Sequence, residues 1–465
     1  MPDEAGDGGR VTHPQPSSAL PGVRALARAL QHGELRAEAV AADYLARLAA
    51  VNPMLNALVH PAADVLERAR AADLARARGE PCGALHGVPF TVKDWIEVAG
   101  LPCDAGFEER RGFMPTQDAT AVQRLRTAGG IVLGKTKTGG SANALHPACG
   151  NPRAAGRTPG ASSSGEAALA AARASPFGLG SDSGGSIRWP AHCCGVAGLK
   201  PSHGRVPNTG HFPPIGMLAD PRTVIGPIAP TVDDLAFVFA LIAGPDDIDT
   251  SAVPVPVALA GPRDGAPLRI AWFAGWDNER RGWGPSPSGD ALAVTTDATG
   301  NAALQAAVAA LQDAGHVLVE AVPPHIEDAR AITEVYWARP QSISLRSWRP
   351  PPASPAMQAL DTTIVEHSLF AWERLRRAML AFMREFDVLL CPAAPRVAPM
   401  LGTSAIDDYA YTLPFSLTGQ PVVSLQGAWS EDGMPANVQV IAPRFHDLRA
   451  LRVAREIEDR CGAVR

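Results

Sequence analysis

Apolar residues recur along the chain at two periods, and the switching between them sets the architecture. Leu26, Leu30, Val40, Tyr44 and Leu48 fall at helix-like spacings around His32-Gly33, which reads as a turn. Gly22 to Val51 is therefore expected to form two helices, with Pro53 stopping the second. An alanine-rich helix is expected from Ala62 to Arg78. The period then shortens. Val88 to Lys93 reads as a strand, Thr120 to Thr127 as a helix, and Gly130 to Gly134 as a buried strand. Ser163 to Ala174 looks helical, and Gly178 to Asp182 reads as a strand end before a glycine turn. Periodicity leaves Ala236 to Ala243 open between buried helix and strand.

The alternation continues to the C-terminus. Strands are expected at Leu268 to Phe273, Val317 to Val322, Val388 to Leu390 and Val438 to Ile441. Helices are expected at Asn301 to Ala314 and Leu448 to Ile457, and on the face shared by Trp372, Leu375, Met379, Phe382 and Phe386. Gly282 to Gly289 and Pro350 to Pro352 read as loops. Strands alternating with helices predict an α/β fold whose sheet is covered by helices on both faces.

Composition narrows the function classes. Net charge is −5, so no basic excess exists to grip nucleic acid through counterion release. The N-terminus lacks the basic-then-apolar pattern of a signal peptide, and the run Leu235 to Ala243 is too short to span a bilayer. A soluble cytoplasmic protein is expected, with residues 1–20 a flexible tail and 21–465 one domain. The seven cysteines are odd in number and scattered, which points to reduced, buried, structural thiols. No spacing suggests a zinc site.

Two serine–glycine segments carry candidate chemistry: Pro159-Gly-Ala-Ser162-Ser-Ser-Gly-Glu166 and Gly180-Ser-Asp182-Ser-Gly-Gly-Ser186-Ile-Arg188. Hydrolysis of an amide needs an activated nucleophile and donors aimed at the developing oxyanion. Ser183, Gly184, Gly185 and Ser186 can supply successive backbone N–H groups to one oxygen. Pro190 fits the first turn of a helix beginning after Ser186, and Ser163 with Glu166 fits a capping box. A base must also be found. His192 is the histidine nearest to Ser186 in sequence; Lys93, led out of an apolar strand, is the other candidate. There is no Gly-x-Ser-x-Gly elbow.

These segments resemble the amidase-signature family of serine hydrolases. The family pattern runs Gly-Val-Pro-x-x-x-Lys-Asp, then Gly-Gly-Ser-Ser-Gly-Gly, then Asp-x-Gly-Gly-Ser-Ile-Arg. Gly87 to Asp94, Gly160 to Gly165 and Asp182 to Arg188 follow it in order. Ser162 and Ser186 stand 24 positions apart, the family spacing. Asn151-Pro152, Gly195 to Pro201, Gly226-Pro227, Leu390 to Pro395 and Gly419 to Pro421 extend the likeness from about residue 22 to about 458. Ala161, Ser164, Ser183, Lys137 and Pro230 depart from the pattern without removing a catalytic group.

The resemblance implies one large α/β domain and a Ser–cisSer–Lys triad. Ser186 is then the nucleophile, Ser162 the relay held by a cis peptide, and Lys93 the neutral base. Asp182, Arg188 and Ser163 support the turn. Neither cofactor nor metal is called for. The implied substrate is a small-molecule amide, with carbamate and ester hydrolysis as alternatives; a non-catalytic or partner-dependent amidotransferase-type subunit is the reading from another class. A monomer or homodimer is expected. The pocket is expected from Lys137 to His146, His203 to Met217 and Trp337 to Trp372, where Phe212, Ile215, Met217, Ile343, Leu345 and Trp348 favour an apolar or aromatic group.

Gly129 to Thr136 also satisfies the phosphate-binding pattern Gly-x-x-x-x-Gly-Lys-Thr. Its variable positions include Ile131-Val132-Leu133, which should be strand, and the glycines after Lys137 oppose the required helix. Nucleotide binding is rejected on that ground.

Overall fold

Alternate residues of neighbouring strands enter different hydrophobic clusters, which places apolar layers on both faces of the sheet. Val388 and Leu390 pack with Val423, Leu425, Val438 and Val440, whereas Leu389 and Cys391 pack with Val422 and Ile441. The first face is covered by helices Ala298–Asp313 and Asp447–Cys461, through Leu304, Leu311, Leu451 and Ala454. The second is covered by helix Thr362–Glu385 through Met379 and Met383. A period of two along each strand produces this division. The computed structural model describes residues 21–139, 145–214, 221–257, 266–277, 293–338 and 362–462.

Among the described residues one domain holds a single mixed sheet. Its strands are β1 (Leu58–Pro61), β2 (Pro89–Lys93), β3 (Ile131–Thr136), β4 (Gly178–Asp182), β5 (Ala197–Lys200), β6 (Val224–Ala229), β7 (Arg269–Trp272), β8 (Val317–Glu320), β9 (Val388–Pro392), β10 (Val422–Trp429) and β11 (Pro435–Ile441). Their order is β1-β3-β2-β4-β6-β5-β10-β11-β9-β7-β8. Parallel pairs β3–β2–β4 and β9–β7–β8 lie towards the two ends, and antiparallel strands fill the centre.

Most expected elements form near their expected bounds. Thr120–Thr127 is a helix and Gly178–Asp182 a strand, in line with the pattern. The open segment resolves as helix Val232–Ile242, capped where the Thr231 side chain accepts from Asp234 N. Pro53 does not stop its helix, which runs Ala37–Leu55. A proline near the end removes one backbone donor, yet Asn56 N still donates to Asn52 O at 2.8 Å and closes the last turn. The alanine-rich helix starts later than expected, at Val65, because Leu58–Pro61 pairs with β3 as an edge strand. The Gly129 to Thr136 segment is strand through Thr136, with the Lys135 ammonium buried 3.3 Å from Asp94. The loops at 282–289 and 350–352 and the N-terminal tail lie outside the described residues.

All seven cysteines are unpaired; five are buried, while Cys82 is half-buried and Cys461 exposed near the helix end. No helix among the described residues is long and apolar enough to cross a membrane.

Candidate active site

β2 and β4 run parallel in a register that pairs Val92 with Leu179, so Lys93 ends its strand beside Gly180 and Ser181. The flanking side chains Phe90 and Val92 are fully buried, and Lys93 is buried with them. Its ammonium position is defined by three contacts. Nζ lies 2.6 Å from Ser162 Oγ, 2.9 Å from Ser181 Oγ and 3.4 Å from Ser181 O. The face of Trp95 lies 4.3 Å from Nζ. Burial pushes the Lys93 pKa from 10.5 down to about 7, against the opposing fields of Asp182 and Glu166. That corresponds to destabilising the charged form by about 5 kcal/mol.

Ser162 is half-buried in the turn before helix Ser164–Ala171. The peptide bonds flanking Ser162 are trans; among the described residues the cis bond is Phe212–Pro213. The expected cis peptide at the relay serine is therefore absent. A non-proline cis bond costs about 3–4 kcal/mol, and the trans chain already brings Ser162 Oγ to Lys93. The expected capping box is also absent. Ser163 Oγ instead donates to Ser181 O at 3.1 Å and accepts from Ser181 N at 3.2 Å, stitching this turn to β4. Glu166 turns inward, where it accepts from Thr91 Oγ1 at 2.5 Å and Thr136 Oγ1 at 2.7 Å. Burial raises its pKa to about 7, although both threonines favour the carboxylate. A Cβ on Gly178 would fall 1.7 Å from Glu166 Oε2, so only glycine fits opposite that carboxyl group.

Ser186 lies half-buried on the turn joining β4 to helix Arg188–Cys194, which carries Pro190 in its first turn. Asp182 organises this turn. Oδ1 accepts from Gly185 N at 2.8 Å, and Oδ2 accepts from Ile187 N at 3.1 Å. Arg188 forks onto the same carboxylate at 3.0 and 2.9 Å. Burial opposes ionisation of Asp182, but Arg188 outweighs it, and the pKa falls to about 2. The guanidinium continues to Thr412 O at 2.8 Å, Ser416 Oγ at 2.7 Å and Gln439 Oε1 at 3.2 Å. Thr412 Oγ1 in turn donates to Gly184 O at 2.5 Å. Gly185 has φ +139°, and a Cβ there would meet Thr412 Oγ1 at 2.4 Å.

These bonds revise the expected row of four donors. The Gly185 N–H is committed to Asp182, because the carboxylate needs it to hold the turn. Ser183, Gly184 and Ser186 keep N–H groups that donate to no acceptor among the described residues. The Ser183 hydroxyl is hydrogen-bonded to Thr223 Oγ1.

His192 does not serve Ser186. Its Nδ1 accepts from Asn437 N at 3.0 Å, so Nε2 donates to Arg396 O at 3.0 Å. Two residues with no part in the expected triad join the site. Ser181 touches Lys93, and His211 Nε2 lies 2.9 Å from Ser181 Oγ. Ser181 adjoins Asp182 in the glycine motif, which is a signal for it; His211 carries no local signal.

The expected pocket is altered in two places. Phe212 is buried, ring to edge with Phe107 at 5.8 Å and beneath the Arg110 guanidinium at 3.8 Å, so it is core. Trp372 is also core, donating from Nε1 to Leu417 O at 2.6 Å. Ile215, Met217, Ile343, Leu345 and Trp348 lie outside the described residues. Trp337, 39% exposed, stands against Gly184, where a Cβ would meet its ring at 3.1 Å. Tyr409 meets Trp337 edge to face at 6.5 Å.

His60, Asp94 and His146 bring ligand atoms within 4.8 Å of one another. Lys135 already ion-pairs with Asp94 at 3.3 Å, and His60 Nε2 lies 3.0 Å from Asp104. An ammonium in the cluster repels a divalent ion, so the donor set fits a buried polar network better than a metal.

A family model described as Amidase matches residues 39–349 and 353–451. A glutamyl-tRNA(Gln) amidotransferase subunit of Chloroflexus aggregans is 32% identical, over 93% of this chain and 94% of its own length. Among solved structures, 6-aminohexanoate cyclic dimer hydrolase has a TM-score of 0.79 at 26% identity, covering 95% of this chain and 97% of that one. A chain from a vestigial protein complex bearing on the origins of an s-triazine catabolic enzyme has a TM-score of 0.80 at 28% identity, covering 96% and 99%. With the family model spanning most of the sequence, the chain belongs to the amidase-signature family.

Proposed function

We propose that the chain hydrolyses an amide carbon–nitrogen bond through Ser186, with Ser162 as relay and Lys93 as base. The observation that carries this reading is a fully buried lysine, pKa about 7, 2.6 Å from the Ser162 hydroxyl. An amine of that pKa is about half neutral at pH 7 and can accept a proton.

Lys93 takes the Ser162 proton while Ser162 takes that of Ser186, whose oxygen bonds to the carbonyl carbon. The N–H groups of Ser183, Gly184 and Ser186 stabilise the oxyanion, each contributing about 3 kcal/mol where geometry is good. As the carbon–nitrogen bond breaks, the proton returns through Ser162 to the leaving nitrogen. Water then attacks the acyl-enzyme by the same relay and regenerates Ser186. Asp182, Arg188 and Ser163 hold the two turns. Trp337 offers a flat apolar surface beside Gly184, which supports an apolar or aromatic substrate.

Incubation with an aryl sulfonyl fluoride should place one adduct on Ser186, found by mass spectrometry. The purified chain should hydrolyse anilides, and Ser186→Ala should not. An adduct elsewhere, or a tight preference for small charged amides, refutes the reading. Carbamates and esters in the same panel test the related leaving groups.

The likeness to an amidotransferase subunit favours a second reading, catalysis that depends on a partner protein. Anilide turnover by the purified chain alone excludes it.

A further inference from the structure

We propose that His211 fixes the direction of the hydrogen-bond chain ending on Lys93, so that the amine presents its lone pair to Ser162. His211 acts through the Ser181 hydroxyl and is a positioning residue. The inference rests on the reading of Lys93 as the base.

The imidazole is held in a defined orientation. Only 5% of His211 is exposed, and its backbone N–H donates to Asn208 O at 2.9 Å. The next residue, Phe212, donates its backbone N–H to Trp95 O at 2.7 Å, tying the segment to the chain just beyond Lys93. The rings of His211 and Trp95 meet edge to face at 6.1 Å and 85°. Trp95 is the same ring that faces the Lys93 amine.

Proton placement follows from what each atom can do. Nδ1 lies 3.2 Å from the Pro213 carbonyl oxygen, which can only accept, so Nδ1 carries the hydrogen. With the ring neutral, Nε2 offers a lone pair to Ser181 Oγ, 2.9 Å away. Ser181 has one hydroxyl proton. It donates that proton to Nε2, leaving the oxygen to accept from Lys93 Nζ at 2.9 Å. A neutral amine has two N–H groups and one lone pair. Ser181 Oγ takes one N–H, Ser181 O at 3.4 Å takes the other, and the lone pair remains for the Ser162 hydroxyl at 2.6 Å. Every donor in this chain then has an acceptor.

The reversed chain fails at the base. A hydrogen on Nε2 would make Ser181 Oγ the acceptor and turn the Ser181 proton towards Lys93. That proton would compete with Ser162 for the single lone pair. In the neutral ring the Pro213 carbonyl selects against this arrangement, three hydrogen bonds from Lys93.

The test measures the second-order rate of Ser186 labelling by a fluorophosphonate, followed by intact-protein mass. His211→Phe keeps a planar apolar ring but removes the acceptor, and should slow labelling about 10- to 100-fold. His211→Gln places a carbonyl acceptor near the Nε2 position and should recover most of that loss. In a Ser181→Ala background, His211→Phe should cost less than about threefold, because the connecting hydroxyl is gone. With an anilide substrate the loss should fall on kcat, with KM little changed.

A folded His211→Phe protein labelled at the wild-type rate overturns the proposal. So does a His211→Gln variant no faster than His211→Phe, or an undiminished His211 effect in the Ser181→Ala background. If His211→Phe does not fold, His211→Leu, which likewise lacks a ring acceptor, takes its place in all three comparisons and decides by the same criteria. Labelling that Lys93→Met abolishes and His211→Phe leaves intact sinks the role of His211 alone. A wild-type protein that never labels at Ser186 overturns the relay, and this inference with it.

Discussion

If Lys93 must be neutral to act, the proton concentration is the cleanest perturbation of the site. Its pKa of about 7 makes roughly 1% of the chain competent at pH 5, about half at pH 7, and nearly all by pH 9. Labelling of Ser186 by a fluorophosphonate reports the free enzyme and avoids substrate ionisation. Its rate should rise about 50-fold from pH 5 to 7 and about twofold more by pH 9. The midpoint should respond to a neighbour. The Glu166 carboxylate raises the Lys93 pKa, so Glu166→Gln, which removes that charge, should move the midpoint to lower pH. A lysine with the ordinary value of 10.5 would behave differently, with the rate still climbing about tenfold per pH unit from 8 to 9. Such a climb, or a flat profile between pH 5 and 7 in protein that circular dichroism shows to be folded, refutes the neutral-base reading.

Three further outcomes follow from the same geometry. Lys93→Met should stabilise the fold at pH 7 by about 1–3 kcal/mol in urea unfolding while abolishing labelling, since about 4 kcal/mol of desolvation cost is offset by lost hydrogen bonds of about 1 kcal/mol each. The unfolded chain binds the extra proton between pH 7 and 10.5, so the gain is full below pH 7 and shrinks as pH rises; a gain that grows with pH contradicts it. Arg188→Gln leaves buried Asp182 without its charge partner and should cost about 3–5 kcal/mol in the same assay. Gly185→Ala must hold φ +139° with its methyl against Thr412, and should lose about 1–3 kcal/mol and most labelling; wild-type behaviour would mean that the turn is not so constrained.

Local physics decides what can be read from the sequence. The strand Pro89–Lys93 and the strand-to-turn segment at Asp182 are legible because apolar runs and glycines act over a few residues. Strand β6 is not, because Gly226-Pro227 breaks its pattern while pairing with β4 supplies its stability. Glu166 fits a local cap by spacing but finds Thr91 and Thr136 on neighbouring strands instead. The cis peptide is an expectation from family likeness alone, and the trans chain reaches Lys93 without it. His211 and Ser181 stand 30 positions apart, and only tertiary packing makes them neighbours.

The tether from Arg188 to Thr412, Ser416 and Gln439 spans about half the chain. A ribosome would have made Lys93, Ser162 and Ser186 long before it made these anchors. An unfinished polypeptide thus carries the chemistry without the grip that aims it. Under the proposed relay, truncated products would be inert, and hydrolytic competence would arrive only with the last strands.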